Sequence, residues 1–334
     1  MSRSIIVLPD DSAEPLLEAV AKAAKSIRIK MFLFSDPSLL EAVIAAHHRG
    51  VHVHIMLNPE RRDGEKENHK SRKKLANAGV HVKDSNPHFD ITHEKSMVID
   101  GETAFVMSLN WETANLTITR DYAVVTSEKH EVEEIARCFD ADWDRTKFDA
   151  GDQSHLIWCV GNGRQRIGQL IDDSQHTLWL QNERYQDPVI IEHLIRAHNR
   201  GVRIRVMARP PDKLKVAKLN EGVSGLRCLQ DLGVEIRKLQ HLKLHAKLLM
   251  ADENVAIVGS INLAPGSFDS RRELAIQVKD EHIAGRISKT LQKDWANSDP
   301  LDLSDEGLLA ELKKHDPNVQ EDLGITAGKH QKNT

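Results

Sequence analysis

The chain has 334 residues, 40% of them hydrophobic and 29% charged, with a net charge of −4. That is the composition of an ordinary globular protein with room for more than one domain, and no stretch approaches the roughly 20 apolar residues needed to span a bilayer. The residues from Asp299 onward hold eight acidic and four basic side chains, so the body is neutral and offers no bulk electrostatic case for nucleic acid or anionic membranes.

The opening MSRSIIVLPDDSAEP has too short an apolar run for a signal peptide. An apolar strand is expected at about 27–34. Asp36-Pro37 then starts an amphipathic helix, with proline where its missing N–H does no harm, and Gly50 ends it. VHVHIML alternates as a half-buried strand should. A charged helix and a short strand follow, then the apolar pair KSMVID and TAFVMS, the strand DYAVVT and a long helix ending in DADWD.

The same order then returns. A strand at about 177–182 leads through Asp187-Pro188 into a helix that ends near Arg200-Gly201, each pair 151 residues after its counterpart (Asp36-Pro37, Arg49-Gly50). VRIRVMA, LQDLGVEIR, AKLLMAD, VAIVGS and ELAIQV repeat the later strands, and a second long helix ends in QKDWAN. Two copies, 1–150 and 151–298, are therefore expected, followed by an acidic polar tail, 299–334, with one helix near EGLLAELKK. Strand-helix alternation within each copy predicts an α/β fold with mixed sheets.

Each copy carries His-x-Lys-x-x-x-x-Asp: His93, Lys95 and Asp100, then His245, Lys247 and Asp252, 152 residues on. On a strand, residues two apart face the same way, so imidazole and ammonium would share one space. Ser108 and Asn110 follow in the first copy and Ser260 and Asn262 in the second. Asp121 and Glu273 come next, again at matching offsets. One His-x-Lys is ordinarily a solvated strand edge. Two, with every polar element in step, point to one shared site.

The doubled motif, each followed by a Ser-x-Asn element, resembles the phospholipase D superfamily over roughly residues 1–298. The resemblance implies two α/β lobes with mixed sheets related by pseudo-twofold symmetry, each giving half of one active site. It also implies metal-independent hydrolysis or transfer at a phosphodiester through a phosphohistidine, with no cofactor. The residues suit that chemistry. One neutral histidine can attack phosphorus while the other, protonated, serves as acid and later as base. A carboxylate on each Nδ1, Asp121 or Glu273, would fix the tautomer and aim Nε2. Lys95, Lys247, Asn110 and Asn262, with Ser108 and Ser260, would hold the phosphate, and Asp100 and Asp252 would anchor the turn after the motif. By likeness to the two-copy members we favour His93 as nucleophile and His245 as acid. The first copy departs from the pattern with Met107 in place of Gly259, which is expected to limit how closely a phosphate approaches that backbone, and with the shorter Asp121 in place of Glu273, which is expected to change the reach to the histidine.

Other features read more plainly. His47, His48, His52 and His54 could suggest a metal site, but His52 and His54 match Arg203 and Arg205, so an exposed strand face is expected. The basic runs 60–74 (Arg61, Arg62, Lys70, Arg72, Lys73, Lys74) and 209–218 read as solvated segments that could flank a cleft. Trp143 and Trp295 fall at matching places and are expected in the core. Cys138, Cys159 and Cys228 read as reduced thiols of a cytoplasmic protein. With both half-sites in one chain, a monomer is expected. The resemblance implies a phosphodiester substrate: a glycerophospholipid is expected, reached by peripheral contact with a membrane, with DNA or RNA as the alternative.

Overall fold

The computed structural model describes residues 2–60, 68–151, 155–210 and 216–314. The first lobe begins β1 (Arg3–Leu8), α1 (Glu14–Lys22), β2 (Ser26–Met31), α2 (Pro37–His48), β3 (His52–Leu57) and α3 (His69–Asn77). It continues β4 (His81–Asp84), β5 (Ile91–Thr92), β6 (Ser96–Ile99), β7 (Thr103–Met107), α4 (Thr113–Thr117), β8 (Thr119–Thr126) and α5 (Lys129–Asp144). The second lobe repeats this with β9 (Leu156–Cys159), α6 (Gly163–Asp173), β10 (Thr177–Asn182), α7 (Pro188–Asn199), β11 (Arg203–Ala208) and α8 (Val216–Asp231). Next come β12 (Glu235–Leu239), β13 (Lys243–Leu244), β14 (Leu248–Ala251), β15 (Val255–Gly259), α9 (Pro265–Asp269), β16 (Arg271–Val278) and α10 (Glu281–Ala296). The described chain closes with β17 (Ser298–Pro300) and α11 (Asp305–Lys313).

Local chemistry sets these boundaries twice over. Asp36 caps α2 by accepting the Leu39 N–H at 3.0 Å, and Asp187 caps α7 by accepting that of Ile190 at 3.1 Å. Past the helix ends, Gly50 and Gly201 take φ of +91° and +87°, a conformation that costs glycine least. The preceding Arg49 and Arg200 reach back to the last carbonyls of α1 and α6, satisfying groups those helices leave open.

Each lobe folds around a mixed sheet, one ordered β1-β8-β7-β6-β2-β3-β4 and the other β17-β12-β11-β10-β14-β15-β16. The central pairs β2·β3 and β10·β11 are parallel, while β6·β7 and β14·β15 are antiparallel. A separate apolar cluster fills the space between each sheet and its outer helices. A third joins the lobes, with Val98, Val106 and Val124 of the first packed with Leu248, Val258 and Ile276 of the second. Small strands are also exchanged. β5 adds to the second sheet beside β16, and β13 adds to the first beside β8. Among the described residues no helix is long and apolar enough to cross a membrane.

Three expectations need correction. The chain after Ser298 is no loose tail at first: β17 pairs with β12, and Leu301, Leu303, Leu308 and Leu312 are buried in the second lobe's core. Its acidic composition hid this because the apolar residues sit among the acids at core spacing. Residues 315–334 lie outside the described residues. Trp143 and Trp295 are half-buried rather than core, each capped by a cation, Lys83 at 4.6 Å and Arg237 at 5.2 Å from the ring centres. Finally, Met107 does not bear on a phosphate. Its side chain is fully buried in the first core, and a side chain at Gly259 would strike the Leu274 carbonyl of β16 at 2.3 Å. The glycine serves strand packing.

The strand faces behave as expected. His52 and Arg203 are exposed, and His54 and Arg205 half-buried, at the outer ends of β3 and β11. Lys70, Lys73 and Lys74 lie exposed on α3 and Arg72 half-exposed, a solvated helix. Arg61, Arg62 and residues 211–215 of the second basic run fall outside the described residues.

Candidate active site

The exchanged strands place the motif. His93 and Lys95 stand in the three-residue link between β5 and β6, and His245 and Lys247 in the link between β13 and β14, rather than within strands. The links are extended because they are tied to the opposite lobe. The N–H groups of His93 and Glu94 both donate to the Arg272 carbonyl at 2.9 Å, and that of His245 donates to Arg120 at 3.3 Å. Each histidine is thereby laid beside the strand that carries the other copy's carboxylate.

The pairing is accordingly crossed. His93 Nδ1 lies 2.9 Å from Glu273 Oε2, and His245 Nδ1 lies 2.8 Å from Asp121 Oδ1. The shorter Asp121 reaches its ring as closely as the longer Glu273 does, so the change of residue is absorbed by the backbone. With a carboxylate on each Nδ1, that nitrogen carries the proton and Nε2 is left for chemistry. Both rings are about nine-tenths buried, at 8% and 9% exposure.

Lys95 and Lys247 sit with them, almost wholly buried, each donating to the carbonyl of its own histidine. Burial and the nearby Lys247 bring the Lys95 ammonium down to about 7, against the pull of Glu273, Glu183 and Asp121. Burial, then Lys95 and Lys247, hold His93 well below the ordinary histidine range, so it is a neutral base. Asp121 is ionised: burial opposes its charge, but His245, Lys247 and the Ser108 hydroxyl outweigh it. Burial raises Glu273.

The remaining expected residues divide. Asn110 and Asn262 are buried, and neither amide oxygen has a partner among the described residues, so both amides hold unused bonding capacity. Ser108 and Ser260 lie fully buried behind the histidines. Ser108 donates to Asp121 at 2.6 Å and accepts from the Tyr122 N–H, while Ser260 donates to the Leu274 carbonyl at 3.2 Å and accepts the Leu274 N–H. Their hydroxyls brace the carboxylate strands and do not face a phosphate. Asp100 accepts the N–H groups of Ala24, Lys25 and Ser26, and Asp252 those of Gln175, His176 and Thr177. They anchor the starts of β2 and β10, a structural task.

Two sets of residues were not singled out from the sequence. Arg120 and Arg272, each just before a site carboxylate, cross the lobe boundary to grip Asp294 and Asp142 through paired bonds of 2.8 and 2.9 Å. Their signal was present: an arginine precedes the carboxylate in both copies, and an aspartate precedes the matching tryptophan. Glu94, Cys138 and Asp142 also converge as metal ligands would, yet the Lys30 ammonium stands among them, 2.9 Å from Glu94 and 2.7 Å from Asp142. The cation there is already supplied by the chain. The second set breaks the symmetry. Glu183 Oε2 accepts from Lys247 Nζ at 2.6 Å and lies 3.9 Å from His245 Nε2. At the matching place in the first lobe Phe32 meets the His93 ring edge-on, 4.9 Å between centres.

A family model described as "Cardiolipin synthase, PLD-like domain" matches the chain twice, over residues 16–143 and 167–295. The chain is 26% identical over 312 residues to the polyphosphate kinase of Vibrio vulnificus (strain YJ016), covering 87% of this chain and 43% of the kinase. It therefore spans less than half of that protein's length. It is 24% identical over 322 residues to cardiolipin synthase B of Shigella flexneri, covering 80% of this chain and 74% of the synthase. Among solved structures, phosphatidylserine synthase from Haemophilus influenzae Rd KW20 shares the fold, with a TM-score of 0.72 over 94% of this chain and 92% of that one at 12% identity.

Proposed function

We propose that this chain, which belongs to the phospholipase D-like domain family matched by both its halves, hydrolyses or transfers the head-group phosphodiester of a glycerophospholipid through a phosphohistidine. The observation that carries the reading is the crossed pairing of His93 with Glu273 and His245 with Asp121, two oriented rings between two buried lysines. The lone pair of neutral His93 Nε2 attacks phosphorus as the bond to the head-group oxygen breaks. His245 gives its Nε2 proton to that oxygen. Water or an alcohol then loses its proton to His245, attacks phosphorus and releases His93. Lys95 and Lys247 face the non-bridging oxygens. The amides of Asn110 and Asn262 offer further N–H donors to the same charge. These groups supply the charge a metal would otherwise bring. One copy of the chain holds every named group, so the monomer is the working unit, visiting the membrane surface from the cytoplasm.

The lipid assignment is supported by the family description and by the likeness to cardiolipin synthase B over most of both chains. It is tested on one preparation in EDTA with phosphatidylcholine and phosphatidylglycerol in mixed micelles, an end-labelled single-stranded oligonucleotide, and polyphosphate. Release of the head-group alcohol, lost in both His93→Ala and His245→Ala, is the expected result. Cleavage of the oligonucleotide or turnover of polyphosphate alone, lost in the same variants, would overturn the lipid reading and leave the histidine chemistry standing.

A further inference from the structure

The two half-sites differ most where the repeat pairs Phe32 with Glu183, each just past the end of its lobe's central strand. Phe32 makes an apolar wall beside His93, and the Lys95 ammonium lies 5.2 Å from its ring centre. Glu183 instead sets a carboxylate beside His245, held by Lys247 at 2.6 Å and Arg209 at 3.1 Å. Its side chain keeps 16% exposure, against 0% for Asp121 and Glu273, so it is the carboxylate of the site within reach of an incoming molecule.

Resting on the lipid reading above, in-line attack by His93 sends the departing oxygen toward His245. The alcohol that leaves, and any alcohol that replaces it, then lies against Nε2 of His245, 3.9 Å from Glu183 Oε2. We propose that Glu183 is the specificity-determining residue of this side of the site. It selects head-group and acceptor alcohols that carry a second hydroxyl or a positive charge and rejects those that carry a negative one. Phosphate oxygens arriving at Lys247 compete for its ammonium and free Oε2 for that contact, while Arg209 keeps the carboxylate in place. A hydroxyl or ammonium on the carbon next to the departing oxygen meets an acceptor there. A phosphate or carboxylate in the same position meets a like charge in a partly desolvated cleft. Phe32 at the matching position offers neither interaction, so the two sides of the phosphorus are distinguished chemically although the fold is duplicated.

The test reads binding, which needs no turnover. The full chain is titrated calorimetrically with three phosphomonoesters of similar size: ethanolamine phosphate, propyl phosphate and phosphoglycolate. The wild type should bind them in that order, with steps of about tenfold, the size of a charged hydrogen bond gained or lost. Glu183→Gln, which keeps the shape and an acceptor for Lys247, should bring all three within about threefold of each other. A uniform loss of affinity for all three in the variant would mean that Glu183 only positions Lys247 and would overturn the proposal. So would an order that survives the substitution, or no order in the wild type; neither result touches the phosphodiester reading. Failure of the wild type to bind any of the three would overturn both.

Discussion

The His93 half and the His245 half of the site are built from the same repeat and differ in their surroundings. Both rings are oriented by a carboxylate from the opposite lobe at nearly equal distance. Around His93 the next neighbours are an aromatic ring and a lysine brought down to about 7, and the imidazole is held neutral. Around His245 the neighbours are an ionised Asp121, Lys247 and a second carboxylate, Glu183, held far below its usual range by Lys247, His245 and Arg209 in spite of burial. Nε2 of His245 thus lies 3.9 Å from a carboxylate oxygen, whereas the His93 ring lies against Phe32. Duplication supplies two copies of the reacting group; on the proposed mechanism, the residues that differ between the copies divide nucleophile from acid.

The sharpest way to break this comparison is to remove each ring in turn and vary the leaving group. Without His93 no nitrogen remains to form the bond to phosphorus, and His93→Ala should lose activity by about 10^4-fold or more on any diester. Without His245 the departing oxygen lacks its proton, a loss of about 10^2- to 10^4-fold for an alkyl head group. Bis(p-nitrophenyl) phosphate needs no such proton, so His245→Ala should release a burst of about one p-nitrophenolate per enzyme before stalling at the phosphohistidine, which still lacks its base, and His93→Ala should show no burst. The reverse pattern would exchange the two roles.

A second contrast lies beneath the site, in the buried ion pairs that join the lobes. Arg272 holds Asp142, which Lys30 also contacts; Arg120 holds Asp294, which also accepts from the neutral amide of Gln181. Truncating one partner of a buried pair strands the other, at a cost of about 3–5 kcal/mol. Arg272→Met leaves Asp142 its lysine, whereas Arg120→Met leaves Asp294 no cation at comparable depth among the described residues. Denaturant unfolding should therefore show the larger loss in Arg120→Met. Equal losses would mean that Lys30 does not compensate for Arg272.

Most of this site could be read from residue spacing, and the parts that could not are those that depend on the path of the chain between lobes. The offsets of His93, Lys95, Asn110 and Asp121 from their partners were plain because a duplicated site keeps its chemistry in register. That His93 would meet Glu273 and not Asp121 was hidden. It follows from β5 and β13 crossing to the opposite sheet, and two-residue strands leave almost no periodic signal. Glu183 escaped notice because its counterpart is Phe32, and agreement between the copies was the guide to function. The serines travel with the asparagines in sequence and so resemble phosphate donors, yet a hydroxyl buried beside strands is taken up by the nearest carboxylate and backbone groups. The packed segment after Ser298 was masked by its acidic composition, although its leucines recur at 301, 303, 308 and 312.

The smallest expected effect sharpens the comparison most, because it reads the His93 side of the site through the pH dependence of Lys95. Lys95 stands at about 7 and His93 well below its ordinary value, so near pH 6 the base is free and the ammonium is charged, the pair that phosphate binding and attack require. Raising the pH through about 7 removes the Lys95 proton from the free enzyme and, with it, attraction for the phosphate. The kcat/KM profile should fall on that side by about tenfold per unit. Bound phosphate restores the proton, so kcat should stay flat over the same range. Lys95→Arg keeps its charge throughout and should lose the alkaline limb near 7. If the limb persists in that variant it belongs to a group on the His245 side, and the two halves would then differ in the opposite sense from the one their burial and neighbouring charges require.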